Sequence, residues 1–156
     1  MKSTLVFVIA ATFALFVSCG EKNKEANLSV PQKVKNCFMA DFSGKSDVSW
    51  EQEGDFYEAE YTENGIEISV LYDAKGKQIS KETEISADAL PVPVVDYITQ
   101  HFSGVTIEEA EMLEDAEGTF YIVEIESDNQ ETELKFDQSG NYAGEETEAD
   151  SEDDND

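Results

Sequence analysis

Two cysteines, one histidine and 36 carboxylates are the side chains of this chain that could do chemistry. A cysteine acts as a nucleophile only as thiolate, which wants a cation or a helix N-terminus nearby. Cys37 stands beside Phe38, with Lys33 and Lys35 close in sequence, and reads as a small buried hydrophobe. His101 is the lone histidine, next to Phe102, and reads as an ordinary helix residue. The two could pair as nucleophile and base, but no third group stands out to orient them. No Gly-x-Ser-x-Gly, His-Glu-x-x-His, Cys-x-x-Cys or phosphate loop occurs. So many acids make carboxylate pairs inevitable, and pairing carries no catalytic signal. Asp73 and Asp137 each begin an Asp-x-x-Gly segment and read as turn formers. The chain is expected not to be an enzyme and to hold no cofactor or resident metal.

Charge narrows the partners. The 156 residues carry ten lysines, no arginine and a formal charge of −26. Such a surface repels phosphate, which excludes nucleic acid as a partner. It also repels anionic lipid headgroups, so membrane attachment has to be covalent or inserted. Eight acids and no cation fill Gly144 to Asp156. This stretch could attract Ca²⁺ diffusely, but it lacks the Gly-turned loop of alternating oxygen ligands that a specific site needs.

Cys19 has a different reading. Lys2 is followed by a nearly unbroken apolar run from Thr4 to Val17, too short to span a bilayer and suited to a signal-peptide core. Phe16-Val17-Ser18-Cys19-Gly20 looks like a bacterial lipobox, with Cys19 the acylated residue. The alternative is an ordinary secretory signal cut after Gly20. Residues 1–18 are then a lipoprotein signal, 19–28 a polar tether and 143–156 a disordered acidic tail. The expected location is the cell envelope, lipid-anchored through Cys19 on the periplasmic side of the outer membrane or on the cell surface.

The elements between tether and tail come twice. Pro31, Val34, Phe38 and Phe42-Ser43-Gly44 recur 60 residues on as Pro91, Val94, Ile98 and Phe102-Ser103-Gly104. Phe56-Tyr57, Glu60, Asp73 and Gly76 recur 64 residues on as Phe120-Tyr121, Glu124, Asp137 and Gly140. The i, i+4, i+8 stripes predict a helix at the start of each copy. Ser29 and Gln32 read as a capping box for the first helix. Alternating segments follow, with Asn64-Gly65 a strong hairpin signal. The first repeat spans 29–86 and the second 87–142. Each is a helix followed by three or four antiparallel strands, an α+β class with the helices covering one sheet face and leaving the other open.

Val70-Leu71-Tyr72-Asp73-Ala74-Lys75-Gly76 and Leu90-Pro91-Val92-Pro93-Val94-Val95-Asp96-Tyr97-Ile98, behind a lipoprotein-like signal, resemble the PepSY-like, β-lactamase-inhibitor-like secreted proteins of Bacteroides-type bacteria. The resemblance covers about Val30 to Tyr142. It implies a tandem α/β unit with one continuous antiparallel sheet. Related inhibitor folds bind a protein partner on the concave sheet face.

Strand parity then proposes a site. If Tyr57, Ala59 and Tyr61 face the helices, Phe56, Glu58 and Glu60 face away. By the same parity Tyr121, Val123 and Ile125 are core, and Phe120 and Ile122 point outward, as does Leu71. Phe56, Leu71, Phe120 and Ile122 would form an apolar patch rimmed by acids, which usually marks a binding surface. The expected function is non-enzymatic capture of a protein or peptide partner, as an inhibitor or a sensor, on the open sheet face. The alternative is a small-ligand or calcium-binding envelope protein.

Overall fold

The structure, a computed structural model, describes residues 29–45, 47–127 and 130–146. The expected leader, the acceptor Cys19, the tether and residues 147–156 of the acidic tail lie outside the described residues. In chain order the elements are α1 (Gln32–Asp41), β1 (Ser49–Glu53), β2 (Phe56–Glu63), β3 (Ile66–Asp73) and β4 (Gln78–Glu84). A 3₁₀ turn at Ala87–Ala89 leads to α2 (Val92–His101), β5 (Thr106–Asp115), β6 (Thr119–Ser127), β7 (Gln130–Asp137) and β8 (Tyr142–Glu146). The eight strands form one open sheet in chain order, every neighbouring pair antiparallel. The class is therefore α+β. Short hairpins make this order natural; at the β2–β3 turn Asn64 (φ 56°) and Gly65 (φ 84°) both take the left-handed conformation that an Asn-Gly turn supplies.

Each helix buries the two stripe residues nearest its middle. In α1 these are Val34 and Phe38, packed with Val30, Ala59, Tyr61, Ile68, Val70 and Tyr72. The Phe38 ring meets Trp50, Tyr61 and Tyr72 edge-on and stacks on Phe42 at 5.3 Å. In α2 they are Val94 and Ile98, packed with Leu90, Ala110, Val123, Ile125, Leu134 and Phe136. Burial of a large apolar side chain contributes about 1.5–3 kcal/mol, so the stripes rather than helix propensity hold these ten-residue helices.

The start of α1 differs from expectation. Pro31, at φ −56° and ψ 136°, occupies the N-cap position, and no side chain caps the helix. A residue with its own extended conformation fixed and its carbonyl already accepting from Lys35 N (3.2 Å) displaces the Ser29–Gln32 box. Gln32 instead donates to Asn36 Oδ1 at 2.9 Å along the helix. The other difference is β8. Its residues Tyr142 to Glu146 run into the stretch expected to be tail, because Tyr142 pairs with Phe136 and stacks on Tyr97 of α2 at 4.6 Å. That apolar attachment holds an otherwise acidic strand on the sheet.

Asp73 and Asp137 close equivalent turns. Gly76 N donates to Asp73 O (2.9 Å), and Lys75 N and Lys77 N donate to the Asp73 carboxylate (2.8 and 2.9 Å). Gly140 N donates to Asp137 O (2.8 Å), with Ser139 N and Asn141 N on the Asp137 carboxylate. These hydrogen bonds, led by Lys77 N at Asp73 and by the Asn141 side chain at Asp137, hold both carboxyls below the usual range.

The glycines serve a second purpose. Gly76 (φ +79°) lies so close to α1 that a Cβ would stand 2.7 Å from Cys37 Sγ and 3.3 Å from Lys33 O. Gly140 (φ +82°) would put one 3.0 Å from Pro93 Cβ and 3.3 Å from Val94 N. Each turn thus abuts the helix that begins its half of the chain. Gly104 (φ +79°) has the same backbone demand with open space around it. Gly76→Ala and Gly140→Ala should each lower stability by roughly 1–3 kcal/mol, more than Gly104→Ala does. Thermal melting of the three variants checks this; equal losses would mean that helix contact at the turns contributes nothing.

Candidate functional site

Residues paired in register point to the same side of a sheet, and successive residues along a strand to opposite sides. Ala59, Val70, Ala110 and Val123 belong to the helix-packed clusters. Their strand neighbours therefore lie on the other side. One row there runs Glu58, Leu71, Ser80, Asp115. The next runs Glu60, Ser69, Glu82, Leu113, Phe120. A third runs Glu84, Glu111, Ile122, Lys135. Lys135 holds its ammonium 4.8 Å from the centre of the Phe120 ring.

The middle of this face is out of water. Leu71 is 1% exposed, Glu58, Ser80 and Glu82 are 5% each and Leu113 7%. Phe56, Phe120 and Ile122 are half-buried. An exposed apolar patch was expected; Leu71 is instead among the most buried residues of the chain. Parity gives the side a residue takes but not its exposure. Leu71 sits on an inner strand between Glu58 and Ser80, and cross-strand neighbours about 5 Å away shield it.

Carboxyl groups in such a place resist ionisation. Glu82 is pushed up to about 9, first by burial and then by the carboxylates of Glu111, Glu58 and Glu53. Glu53 and Glu111 are each raised to about 7, again by burial before like charge. Burial also raises Glu58, against which the Ser69 hydroxyl, donating to its Oε1, acts in the opposite sense. A side-chain hydrogen bond with Glu58 also raises Glu53, after burial and like charge. Ser80 Oγ is buried with no hydrogen-bond partner.

The carboxyls and the serine were not legible as site residues. Gln78-Ile79-Ser80-Lys81-Glu82-Thr83-Glu84 reads as a polar surface strand, yet it is the fourth of eight, with sheet on both sides. The alternation of Ser80, Glu82 and Glu84 against Ile79 and Lys81 was the available signal.

The remaining chemical candidates are placed apart from this face. Cys37 is a free, half-buried thiol packed on the α1 cluster. His101 is exposed, its ring stacked on Tyr97 at 4.0 Å and its Nδ1 2.9 Å from Tyr97 O. Among the described residues no three His, Cys, Asp or Glu side chains are grouped to hold a metal ion. No described helix is long and apolar enough to cross a membrane.

A helix and four strands, then a helix and four strands, is an arrangement with known relatives. A family model provisionally described as beta-lactamase-inhibitor-like, PepSY-like matches the chain twice, over residues 21–80 and 77–143. The chain belongs to this PepSY-like family. Among solved structures, a BLIP-like protein from Bacteroides fragilis is similar at 22% identity and TM-score 0.65, over 80% of this chain and 93% of that one. A DUF2874 family protein from Bacteroides ovatus is similar at 19% identity and TM-score 0.67, over 75% and 86% of the two chains. A Bacteroides eggerthii protein provisionally described as periplasmic is similar at 16% identity and TM-score 0.69, over 75% and 88%. At these identities the three show a shared fold. No curated protein matches the chain.

The electrostatics of a PepSY-like sheet with a neutralised centre predict an unusual pH profile. Glu82 has a folded value of about 9 against an unfolded one near 4.5. Its contribution is complete below the unfolded value and is lost as pH rises through about 9. Asp73 and Asp137, both lowered, lose theirs only at lower pH, outside this window. The melting temperature should therefore fall between pH 5 and 9. Glu82→Gln should flatten the profile and raise the melting temperature at pH 8 by about 5 °C or more, since 1 kcal/mol is worth roughly 4–8 °C in a domain of this size. A wild-type profile that rises over this range would contradict the assignment.

Proposed function

We propose that this PepSY-like chain is a non-catalytic, lipid-anchored protein of the cell envelope that captures a protein or peptide partner on the sheet face carrying Phe56, Leu71, Phe120 and Ile122. Its two repeats set both helices against the opposite face, leaving this one for the partner. One observation carries the reading: half-buried aromatic rings and near-fully buried carboxyls share a face that belongs to neither helix-packed cluster. Aromatic anchors around a desolvated centre are how interfaces concentrate binding energy. The double family match supports the repeat, and the descriptions of the B. fragilis and B. eggerthii proteins fit an inhibitor-like domain outside the cytoplasm. The apolar run ending in Ser18-Cys19 supports the anchor.

Two experiments test it. Phe56→Ala and Phe120→Ala should lose a partner that the wild-type chain captures from envelope extract. They should also melt closer to wild type than Tyr57→Ala and Tyr121→Ala, whose rings pack on the helix clusters. If the Phe variants capture as well as wild type, the face is not the binding surface. Cys19→Ala should leave an unprocessed precursor; normal maturation and release would rule out the lipid anchor.

A further inference from the structure

We propose that the partner inserts a lysine or arginine flanked by apolar side chains, seating its cation between Glu58 and Glu82 beside Ser80 and its apolar neighbours on Leu71, Leu113 and Phe120. This rests on the partner-capture reading and names the chemistry of what is captured.

Three features of the face ask for a cation. Glu58 and Glu82 are each 5% exposed, and the charges acting most on both are other carboxylates. Around Glu82 these come from β1 (Glu53), β2 (Glu58), β5 (Glu111) and β7 (Glu133). Among the described residues Lys135 is the one strand lysine that register places on this side; it sits in the Ile122 row against the Phe120 ring. Lys81, of opposite parity on β4, pairs with Glu114 at 3.1 Å. Second, Ser80 Oγ is buried and unpartnered in the row that Glu58 begins, two residues from Glu82. An ammonium or guanidinium brings several donors, enough for two carboxylates and a hydroxyl oxygen. Third, Leu71 and Leu113 occupy the positions between and beside these polar groups. They favour a cation carried on an apolar segment over a free one.

Other occupants fit worse. A second copy of this chain brings the same −26 formal charge, and the acidic tail brings eight carboxylates. Both would add like charge to a face already unable to ionise fully. A metal ion would need three or more ligating side chains grouped together, and the described residues provide none.

Seating a cation there has a measurable consequence. Glu82 is protonated at neutral pH; beside a bound ammonium it becomes a carboxylate, and its proton passes to solvent. The probe is the peptide acetyl-Leu-Phe-Lys-Phe-Leu-amide, titrated calorimetrically into the full chain in detergent at pH 7, in phosphate and in Tris. The comparison ligands are the same peptide with norleucine for lysine, and spermidine. The lysine peptide should bind at least about tenfold tighter than the norleucine one, the scale of one charge-assisted hydrogen bond. Its apparent enthalpy should differ between the buffers as proton release requires. Glu82→Gln, which keeps the shape of the side chain and should fold more stably than wild type, should remove both effects.

Equal binding of the norleucine peptide overturns the inference, as does binding unchanged by Glu82→Gln, which would be diffuse attraction to the acidic surface. Spermidine binding as tightly as the peptide would make the ligand a free polyamine and overturn it too, and so would no binding by any probe. The partner-capture reading is judged separately, by whether Phe120→Ala loses the envelope partner. A failed peptide series alongside that loss would leave the reading standing and remove only the cation.

Discussion

Alternation of side chains between two sheet faces, carried through eight antiparallel strands and shifted by irregularities in the β3–β4, β5–β6 and β7–β8 pairs, governs what every other part of this molecule can do. A slip of one residue in any strand would exchange its faces. The hairpin and Asp-x-x-Gly turns fix the register, and the glycines of the latter also set how closely each turn meets its helix. With register fixed, Ala59, Val70, Val123 and Leu134 meet the helix stripes. Glu58, Leu71, Ser80 and Glu82 have to lie on the other side.

That second face would be unremarkable if its carboxylates reached water. They do not at the centre, where Glu58 and Glu82 are as buried as core side chains. A carboxyl so placed either meets a positive charge or keeps its proton. The chain brings Lys135 to the margin and leaves the centre to protons, a Ser69 hydroxyl and a carboxyl pair. A face that is only a solvated wall gains nothing by this. One that waits for a basic partner gains a site whose charge develops when the partner arrives.

Much of the architecture was legible because it rests on period. The i, i+4 stripes gave Val34–Phe38 and Val94–Ile98, and Asn64-Gly65 and the two Asp-x-x-Gly segments gave their turns. What escaped depends on neighbours distant in sequence. The Ser29–Gln32 pair has the letters of a capping box, but Pro31 takes the cap position between them. Tyr142 reads as the end of a domain until Tyr97 and Phe136 are seen against it. Parity assigns Phe56, Leu71, Phe120 and Ile122 a side of the sheet and says nothing of exposure. Glu82 looked like one acid among 36, but its strand has three strands on one side and four on the other, and its side chain is 5% exposed.

The protonation state of Glu82 is where the account is most directly open to measurement. Carbon-13 NMR of the glutamate side-chain carboxyls, followed from pH 3 to 10 in the folded protein, reports it without mutation. The account predicts that the Glu82 carboxyl, assigned against Glu82→Gln, remains protonated at pH 7 and titrates near 9. A Glu82 resonance that titrates close to 4.5 would mean that the centre of the face is solvated and ionised, and that the reading of it as a neutralised, cation-seeking surface is wrong.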